Sequence, residues 1–170
     1  PDKKVLLSAV GFETTAPAFA ATILRAAADN IENLFLYSCL KTLPAALSAL
    51  FSAQTNVNGL LCPGHVSVIT GAGMYEFLAE EFRLPCVISG FEARDILEGI
   101  LMLVRQIAAG DSRVEIQYER AVRPEGNIEA QQMMRTVFEP CGSVWRGIGP
   151  IPESGLQLRE EFRRFDAVYR

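Results

Sequence analysis

The stretch VLLSAVGFETTAPAFAATILRAAAD, residues 5–29, decides the fold. Its first six residues are apolar or small, which is typical of a buried strand, and Gly11 then permits a tight turn. The alanine-rich segment that follows has Pro17 in its first turn and predicts a helix that ends near Asp29. A strand that runs directly into a helix is the repeating unit of a parallel α/β sheet.

The same strand–helix unit recurs through the first two thirds of the chain. Nearly continuous apolar strands indicate a parallel sheet that is covered by helices on both faces. We therefore predict the α/β class, with a Rossmann-like three-layer sandwich around a mostly parallel central sheet. The predicted strands are 5–10, 34–39, 59–62 and 86–89, and the predicted helices are 17–29, 44–53, 73–82 and 93–109.

Charged residues are about twice as dense after residue 110 as before it. We predict an α/β core at 1–110 and a charged extension at 111–170, which packs on this core or on a domain upstream. The extension is predicted to contain an edge strand at 114–118, a helix at 127–138, a Gly- and Pro-rich loop at 139–157 and a short amphipathic helix at 158–169.

Composition excludes several classes of protein. The 170 residues carry a net charge of −4, whereas a protein that binds nucleic-acid phosphates needs clustered positive charge. No apolar run reaches the roughly 20 residues that cross a bilayer, and no basic-then-apolar leader is present. We expect a soluble protein, and Pro1 indicates a processed chain or an excerpt of a longer one.

The four cysteines show neither a metal-binding nor a disulfide pattern. They lie 23, 24 and 55 residues apart, without a Cys-x-x-Cys pair, and the chain has only one histidine. A closed zinc site is therefore not expected. The first three cysteines of the sequence lie in or beside apolar strands. We predict that they are small buried side chains and that they stay reduced, as in a reducing compartment. The cysteines are Cys39, Cys62, Cys86 and Cys141.

Polar side chains follow three of the predicted strands at the point where each strand ends. Ligands of open parallel sheets bind at the carboxyl ends of the strands, where helix N-termini also present free N–H groups. We therefore expect these residues to converge on one edge, which we call the rim. The candidates for catalytic proton transfer are Glu13, His65 and Glu92, and those for binding a cofactor or ligand are Thr14, Thr15, Gly64, Ser67 and Asp95.

Helix capping is the alternative role of the rim. Its Thr, Ser and Asp members are common capping residues, and Glu13 and Glu92 could merely complement helix dipoles. A functional role is favoured by the Gly-Phe-Glu triplet, which occurs at 11–13 and again at 90–92. His65, the only histidine, could bind a soft metal, donate a hydrogen bond to an anion or move a proton.

The sequence lacks the motifs of several familiar enzymes. It contains no GxGxxG, no GxxxxGK[ST] phosphate loop and no GxSxG nucleophile elbow. A small nucleotide- or phosphate-binding enzyme is an alternative on architecture alone, and fold-level analogy is weak evidence of function. A protein-interaction domain whose rim residues only cap helices is a further alternative.

Trp145 and Arg146 stand in a glycine-rich stretch near the C-terminus. Exposed Trp and Arg side chains are favoured anchors of protein interfaces, so we consider both residues candidates for partner binding. The alternative is that this loop packs back on the core.

Six sequence blocks, in this order, cover nearly the whole chain: GFETTAP (11–17), PGHVSVITG (63–71), VISGFEARD (87–95), YERAVRPEGN (118–127), WRGIGPIPESGL (145–156) and RFDA (164–167). Together they closely resemble the HypD family of nickel–iron hydrogenase maturation proteins. The resemblance implies a cytoplasmic factor that assembles the Fe(CN)2CO group with the chaperone HypC and with HypE, which delivers cyanide.

The resemblance also implies what this chain lacks. Full-length members of the family hold iron-handling cysteines in CGxHxH and GPGCPVC motifs and carry a 4Fe–4S cluster in a later cysteine-rich segment. None of these motifs occurs here, and the four cysteines do not match them. We therefore expect a central fragment without metal ligands or a cofactor of its own, whose rim faces the cleft towards the rest of the protein.

Overall fold

The computed structural model of the protein describes residues 3–53 and 55–169. The chain divides into two units: unit 1 combines residues 1–46 with 129–170, and unit 2 is the intervening segment 47–128. This division differs from the boundary after residue 110 that charge density favours. The end of the chain groups with the first strands of the sequence.

Unit 1 contains a two-stranded parallel sheet. Strand β1 (Val5–Gly11) pairs with β2 (Leu34–Leu40) along its whole length, and helix α1 (Ala16–Ala28) connects the two strands. The first predicted strand–helix–strand unit is thus confirmed. Ala20 and Ile23 of α1 are fully buried in the hydrophobic core of unit 1.

The opposite face of this sheet is exposed to solvent. Leu6 and Val10 of β1 are 64% and 65% exposed, and Tyr37 of β2 is 47% exposed. Successive residues of a strand point to opposite faces, so Leu6 and Val10 share one face, and the register of the two strands places Tyr37 and Cys39 on that face as well. The prediction of a buried Cys39 is therefore wrong, whereas Cys62 and Cys86 are buried as predicted and Cys141 is partly buried.

Residues 139–157 form most of an antiparallel hairpin, so the predicted loop is wrong. Strands β6 (Phe138–Trp145) and β7 (Gly149–Leu158) pair along most of their length, with one irregularity around Gly142. The glycines that favoured a loop have specific positions in the hairpin. Gly147 adopts a positive φ of 84° in the turn, where a residue with a side chain would be strained.

The C-terminal segment is helical but does not form an α-helix. It consists of two short 3₁₀ helices, Glu160–Phe165 and Ala167–Tyr169. Phe162 and Phe165 are buried, as the amphipathic pattern predicts, and they belong to the hydrophobic core of unit 1.

Unit 2 contains a three-stranded parallel sheet in the order β3–β4–β5. The third and fourth predicted strands are confirmed, and β5 lies at the edge as predicted. The core includes Tyr75, Leu78 and Ile88, which are almost fully buried. The elements are β3 (Leu60–Pro63), α3 (Gly64–Thr70), a 3₁₀ turn (Gly73–Tyr75), α4 (Glu76–Glu81), β4 (Cys86–Ser89), α5 (Ala93–Ala109) and β5 (Val114–Ile116).

Two helices span the boundaries between the units. Helix α2 (Leu43–Ser52) and helix α6 (Ile128–Val137) both form where the sequence predicts helices. The α/β class with mainly parallel strands is thus confirmed, although the strands are divided between two parallel sheets and an antiparallel hairpin. Within the described part of the chain, no helix combines the length and the apolar character that a membrane span requires.

Candidate functional site

Glu13 lies in unit 1 directly after β1 and is only 4% exposed. Its Oε1 accepts a 2.7 Å hydrogen bond from the backbone N–H of Leu43, the first residue of α2. Its Oε2 is buried and has no hydrogen-bond partner among the described residues. Burial raises the pKa of Glu13, and the hydrogen bond from Leu43 opposes that shift only in part. The carboxyl group therefore caps a helix and favours a proton more than an exposed glutamate does.

The two threonines beside Glu13 differ in their hydrogen bonding. Thr15 occupies the N-cap position of α1, but its hydroxyl donates to the carbonyl of Phe12 over 3.1 Å and does not cap the helix. A Cβ at Gly11, whose φ is +145°, would collide with this hydroxyl. Thr14 is half-buried, and its hydroxyl makes no hydrogen bond to a described residue. Of the two hydroxyls, that of Thr14 is free to bind a ligand.

Trp145, at the end of β6, packs back within unit 1. Its Nε1–H donates a 2.8 Å hydrogen bond to the buried Ser154 hydroxyl, and its ring centroid lies 5.9 Å from that of Phe12. Lys41 Nζ lies 4.9 Å from the centre of the Trp145 ring and donates to the carbonyl of Val144. The packing alternative thus accounts for most of the Trp145 contacts, although the side chain remains partly exposed.

Arg146 follows in the hairpin turn and is exposed. Its guanidinium group forms no ion pair with any residue of the described ranges 3–53 and 55–169. Lys41 was not among the predicted site residues. The available signal was its position directly after β2, since ligands of open parallel sheets bind at the carboxyl ends of the strands.

In unit 2, the ring of Tyr118 lies against two glycines at the carboxyl ends of β3 and β4. A Cβ at Gly64 would lie 2.7 Å from Tyr118 Cδ1 and 2.7 Å from the carbonyl oxygen of Ser89. A Cβ at Gly90 would lie 2.7 Å from Tyr118 Cδ2. Both positions therefore require glycine for close packing, and at Gly90 this is a structural reason for the glycine of the second Gly-Phe-Glu triplet.

His65 and Phe91 meet at the ends of these adjacent strands. Both side chains are exposed, and their ring centroids are 5.0 Å apart. Ser67, in contrast, is fully buried, and its hydroxyl donates to the carbonyl of Pro63 over 3.1 Å. The imidazole is thus accessible to a ligand, whereas the Ser67 hydroxyl is used within the first turn of α3.

Asp95 lies in the first turn of α5 and is 2% exposed. Arg120 donates two hydrogen bonds to its carboxylate, from Nη1 over 2.7 Å and from Nη2 over 2.5 Å. Gln117 Nε2 donates a third over 3.2 Å, and the Glu92 backbone N–H donates as well. These donors, Arg120 above all, lower the pKa of Asp95 to about 2. Asp95 therefore stays ionised and holds the start of α5, which favours the capping role.

Glu92 is the accessible carboxylate of this group. It occupies the N-cap position of α5 without a capping hydrogen bond from its side chain, which is 80% exposed. Its Oε2 lies 3.5 Å from Arg120 Nη2. Arg120 was not recognised as a site residue, because its pairing with Asp95 depends on the fold and not on sequence spacing.

The rim thus consists of two groups, one in each unit. Within the described residues, no three His, Cys, Asp or Glu side chains are close enough to hold a metal ion. The groups that remain accessible are a hydroxyl at Thr14, an imidazole at His65 and a carboxylate at Glu92, and Glu13 adds a buried carboxyl group. These can donate hydrogen bonds, orient a ligand and exchange protons.

A sequence model of the family described as "HypD: Hydrogenase formation hypA family" matches residues 1–170. The chain belongs to the HypD family. The Escherichia coli K12 hydrogenase maturation factor HypD is 42% identical over 169 residues, which cover 98% of this chain and 45% of the relative. The HypD of Cupriavidus necator is 39% identical over 178 residues, covering 100% of this chain and 47% of the relative.

An archaeal relative extends the comparison. A putative hydrogenase expression/formation protein of Methanocaldococcus jannaschii is 39% identical over 165 residues, covering 97% of this chain and 46% of the relative. The chain spans about half the length of the curated HypD relatives that it matches. Membership of the HypD family confirms the family expected from the six sequence blocks.

Proposed function

We propose that this chain is a scaffold module of a HypD maturation factor and helps to assemble the Fe(CN)2CO group of nickel–iron hydrogenase in the cytoplasm. HypC and HypE are the partners in this proposal, and Fe(CN)2CO is the substrate. The observation that carries it is the HypD match over all 170 residues. The rim residues belong to the sequence blocks that resemble HypD, and they follow the ends of parallel strands.

The iron itself requires soft thiolate ligands, which in this proposal come from HypC and from the rest of the HypD chain. This module would surround the diatomic ligands instead. His65 and the Thr14 hydroxyl can donate hydrogen bonds to cyanide nitrogen, and Glu92 can orient a donor or accept a proton. Thr15 contributes less, because its hydroxyl already donates to Phe12.

Glu13 is suited to proton handling. Its raised pKa and its unpartnered Oε2 allow this oxygen to hold a proton while Oε1 keeps the hydrogen bond to Leu43. Such a group can give up or take a proton when the charge of the substrate changes during cyanide transfer. In this proposal Glu13 stores the proton, and His65 and Glu92 contact the ligands.

Arg146 and the exposed part of Trp145 form the proposed contact with HypC. The indole is already held by Ser154 and Lys41, so little conformational entropy is lost when a partner covers it. Arg146 supplies a charged group that forms no ion pair among the described residues.

The proposal is tested by His65→Ala in the full-length HypD that contains this module. The complex with HypC is purified, and its CN and CO stretching bands are measured by infrared spectroscopy. We expect a loss of about tenfold or more in band intensity, which corresponds to one lost hydrogen bond to a charged group. Glu119→Ala is the matched control, since Glu119 is exposed and lies outside the rim.

Thermal unfolding of both variants shows whether each keeps the wild-type fold. If the His65→Ala complex folds normally and shows bands of wild-type intensity, His65 has no role in holding the diatomic ligands. If Glu119→Ala loses the bands to the same degree, the effect is not specific to the rim.

A further inference from the structure

Lys41 is a half-buried cation in unit 1 without a negatively charged partner. It lies directly after β2, at the carboxyl end of the parallel pair β1–β2. Its ammonium group forms no ion pair with any residue in the ranges 3–53 and 55–169. A charged group that is partly removed from water usually has an opposite charge beside it, because its loss of hydration is otherwise not compensated. Lys41 is therefore a candidate for binding an anion.

The backbone of Lys41 is held from two sides. Its N–H donates a 2.9 Å hydrogen bond to the carbonyl of Gly11, at the end of β1. On the other side, Lys41 forms an antiparallel bridge with Gly155 of β7, and the N–H of Thr42 donates to the Ser154 carbonyl over 3.0 Å. The base of the side chain is thus fixed before a ligand arrives, which reduces the entropy that is lost on binding.

The ammonium group of Lys41 is positioned as well. It lies 4.9 Å from the centre of the Trp145 ring and donates to the carbonyl of Val144. The indole is itself held, because its Nε1–H donates a 2.8 Å hydrogen bond to the Ser154 hydroxyl. An ammonium group has three N–H donors, so the hydrogen bond to Val144 leaves donors for a ligand. A free donor of Lys41 therefore has a defined place beside the indole.

Two carboxyl groups on neighbouring segments do not neutralise Lys41. Oε1 of Glu13 accepts a 2.7 Å hydrogen bond from the N–H of Leu43, two residues after Lys41. The pKa of Glu13 is raised by burial and lowered in part by backbone hydrogen bonds, and Lys41 does not contribute to this shift. Glu153 of β7 is exposed and forms no ion pair within the part of the chain that the structure describes. The positive charge of Lys41 is thus available to a ligand.

The surroundings of Lys41 indicate which anions fit. The indole ring and the Val144 carbonyl have replaced part of the water around the ammonium group, so an anion that binds here must lose water too. This loss costs least for a small, weakly hydrated anion that needs only one donor. A phosphate group would also use free N–H groups at the start of a helix, but Glu13 already accepts from the first N–H of α2.

We propose that Lys41 binds the terminal nitrogen of a small pseudohalide anion, such as thiocyanate or a metal-bound cyanide, beside the indole of Trp145. One N–H of the ammonium group donates to this nitrogen, while another keeps the hydrogen bond to Val144. That the natural anion is a cyanide ligand of Fe(CN)2CO rests on the proposed function, whereas the anion site itself does not. Lys41 holds the ligand in place and takes no part in making or breaking bonds.

The first test is a titration of the isotope-labelled 170-residue chain with thiocyanate at constant ionic strength. The chain has one tryptophan, so its indole N–H gives a single signal in a proton–nitrogen correlation spectrum. We expect this signal to shift saturably, with a dissociation constant of roughly 1–100 mM, since a ligand of three atoms makes few contacts. Sulfate, which is strongly hydrated, should not cause a saturable shift at the same ionic strength.

Three variants separate the charge of Lys41 from its packing. Lys41→Gln keeps a donor for the Val144 carbonyl but removes the charge, so the dissociation constant should rise at least about tenfold. Lys41→Arg keeps the charge and several donors, and its dissociation constant should stay within about fivefold of the wild type. Lys4→Gln is the matched control in unit 1, where Lys4 Nζ lies 5.5 Å from the centre of the Phe35 ring, and it should bind like the wild type.

Three results would overturn the proposal. The first is the absence of a saturable shift in the wild type. The second is equally tight binding by Lys41→Gln, which would place the anion elsewhere. The third is equal saturation by sulfate, which would exclude selection of a weakly hydrated anion. The backbone amide signals of the same spectra show whether each variant keeps the wild-type fold.

The link to the proposed function is tested with Lys41→Gln in the full-length HypD that contains this module, purified with HypC. We expect the infrared CN bands to shift by more than the CO band, because only a cyanide nitrogen loses a donor. CN bands at wild-type frequency would overturn the assignment of Lys41 to Fe(CN)2CO. A wild-type complex without CN and CO bands would instead contradict the proposed function, and the thiocyanate titration would still decide whether the anion site exists.

Discussion

Asp95 and Glu13 are two buried carboxyl groups whose surroundings shift their pKa values in opposite directions. Arg120 supplies Asp95 with charged donors and lowers its pKa to about 2, whereas Glu13 has one backbone donor and a raised pKa. The two residues therefore differ in how tightly they bind a proton, although both follow a β-strand and both contact the start of a helix. Their roles follow from their partners and not from residue type.

The lowered pKa of Asp95 predicts how Asp95→Asn changes stability with pH. A carboxyl group whose pKa is lower in the folded than in the unfolded state stabilises the fold above its unfolded pKa, near 3.8. This contribution is lost as the pH falls towards 2. Urea unfolding should show Asp95→Asn less stable than the wild type at pH 7, with the difference shrinking below pH 4. An equal difference at every pH would contradict the ion pair with Arg120.

Glu13→Gln should show the opposite dependence. Because the pKa of Glu13 is raised, the folded state binds the proton more tightly, and wild-type stability falls as the pH rises from 4.5 through the folded pKa. Gln keeps an acceptor for the N–H of Leu43 but cannot ionise. Between pH 4 and pH 7, the free energy of unfolding of the variant should therefore increase relative to that of the wild type. Parallel pH profiles in urea unfolding would show that the Glu13 carboxyl group is not shifted.

The positions of the candidate site residues at strand ends could be predicted from one general rule. Ligand-binding residues of parallel sheets stand at the carboxyl ends of the strands, and Glu13, His65 and Glu92 all follow a strand end in the structure. The rule does not say where each side chain points. The Ser67 hydroxyl turns to its own helix, and Arg120 reaches Asp95 across 25 residues of sequence, so neither contact could be read from spacing.

At the scale of the elements, the close packing of Tyr118 against two glycines predicts that an alanine at either position destabilises unit 2. Gly64→Ala places a Cβ 2.7 Å from both Tyr118 and the Ser89 carbonyl oxygen, so the strand ends of unit 2 must move apart. We expect a loss of about 1–3 kcal/mol in the free energy of unfolding, measured with urea. Gly73→Ala is the control in the same unit, because a Cβ there meets no atom within 4 Å.

A neutral Gly64→Ala substitution would mean that Tyr118 can turn away from the strand ends at little cost. A loss in Gly73→Ala as large as that in Gly64→Ala would show that the destabilisation is not specific to the packing of Tyr118 against Gly64, since Gly→Ala at an open, compatible position is expected to be neutral or stabilising.

The β6–β7 hairpin is the element that sequence reasoning missed. Glycine and proline are usually taken as signs of a loop, and residues 139–157 contain both at high density. In the structure, Gly147 forms the turn and Gly142 lies at the irregularity of the ladder. Strand formation here depends on pairing between segments and on the burial of Phe138, Ile151 and Leu156, which a local pattern does not reveal.

At the scale of the whole molecule, the α/β class could be predicted because strand–helix alternation is a local property of the sequence. The grouping of strands into sheets could not, since it depends on which strands become neighbours. Residues 129–170 group with β1 and β2, which are about 100 residues earlier in the chain. Local composition does not reveal that the last 42 residues group with the first strands. Charge density instead favours a boundary after residue 110.

The interrupted sequence of unit 1 has a consequence for the growing polypeptide. Its first 46 residues leave the ribosome before the 82 residues of unit 2, and Glu129 onward must follow before the unit is complete. At about 5 to 20 residues per second this delay lasts roughly 4 to 16 seconds. Unit 2, whose residues are contiguous, can complete its own contacts during that interval. Until then the nascent β1 and β2 strands lack the core contacts that Leu156, Leu158 and Phe162 supply, so their apolar residues stay exposed for longer than those of unit 2.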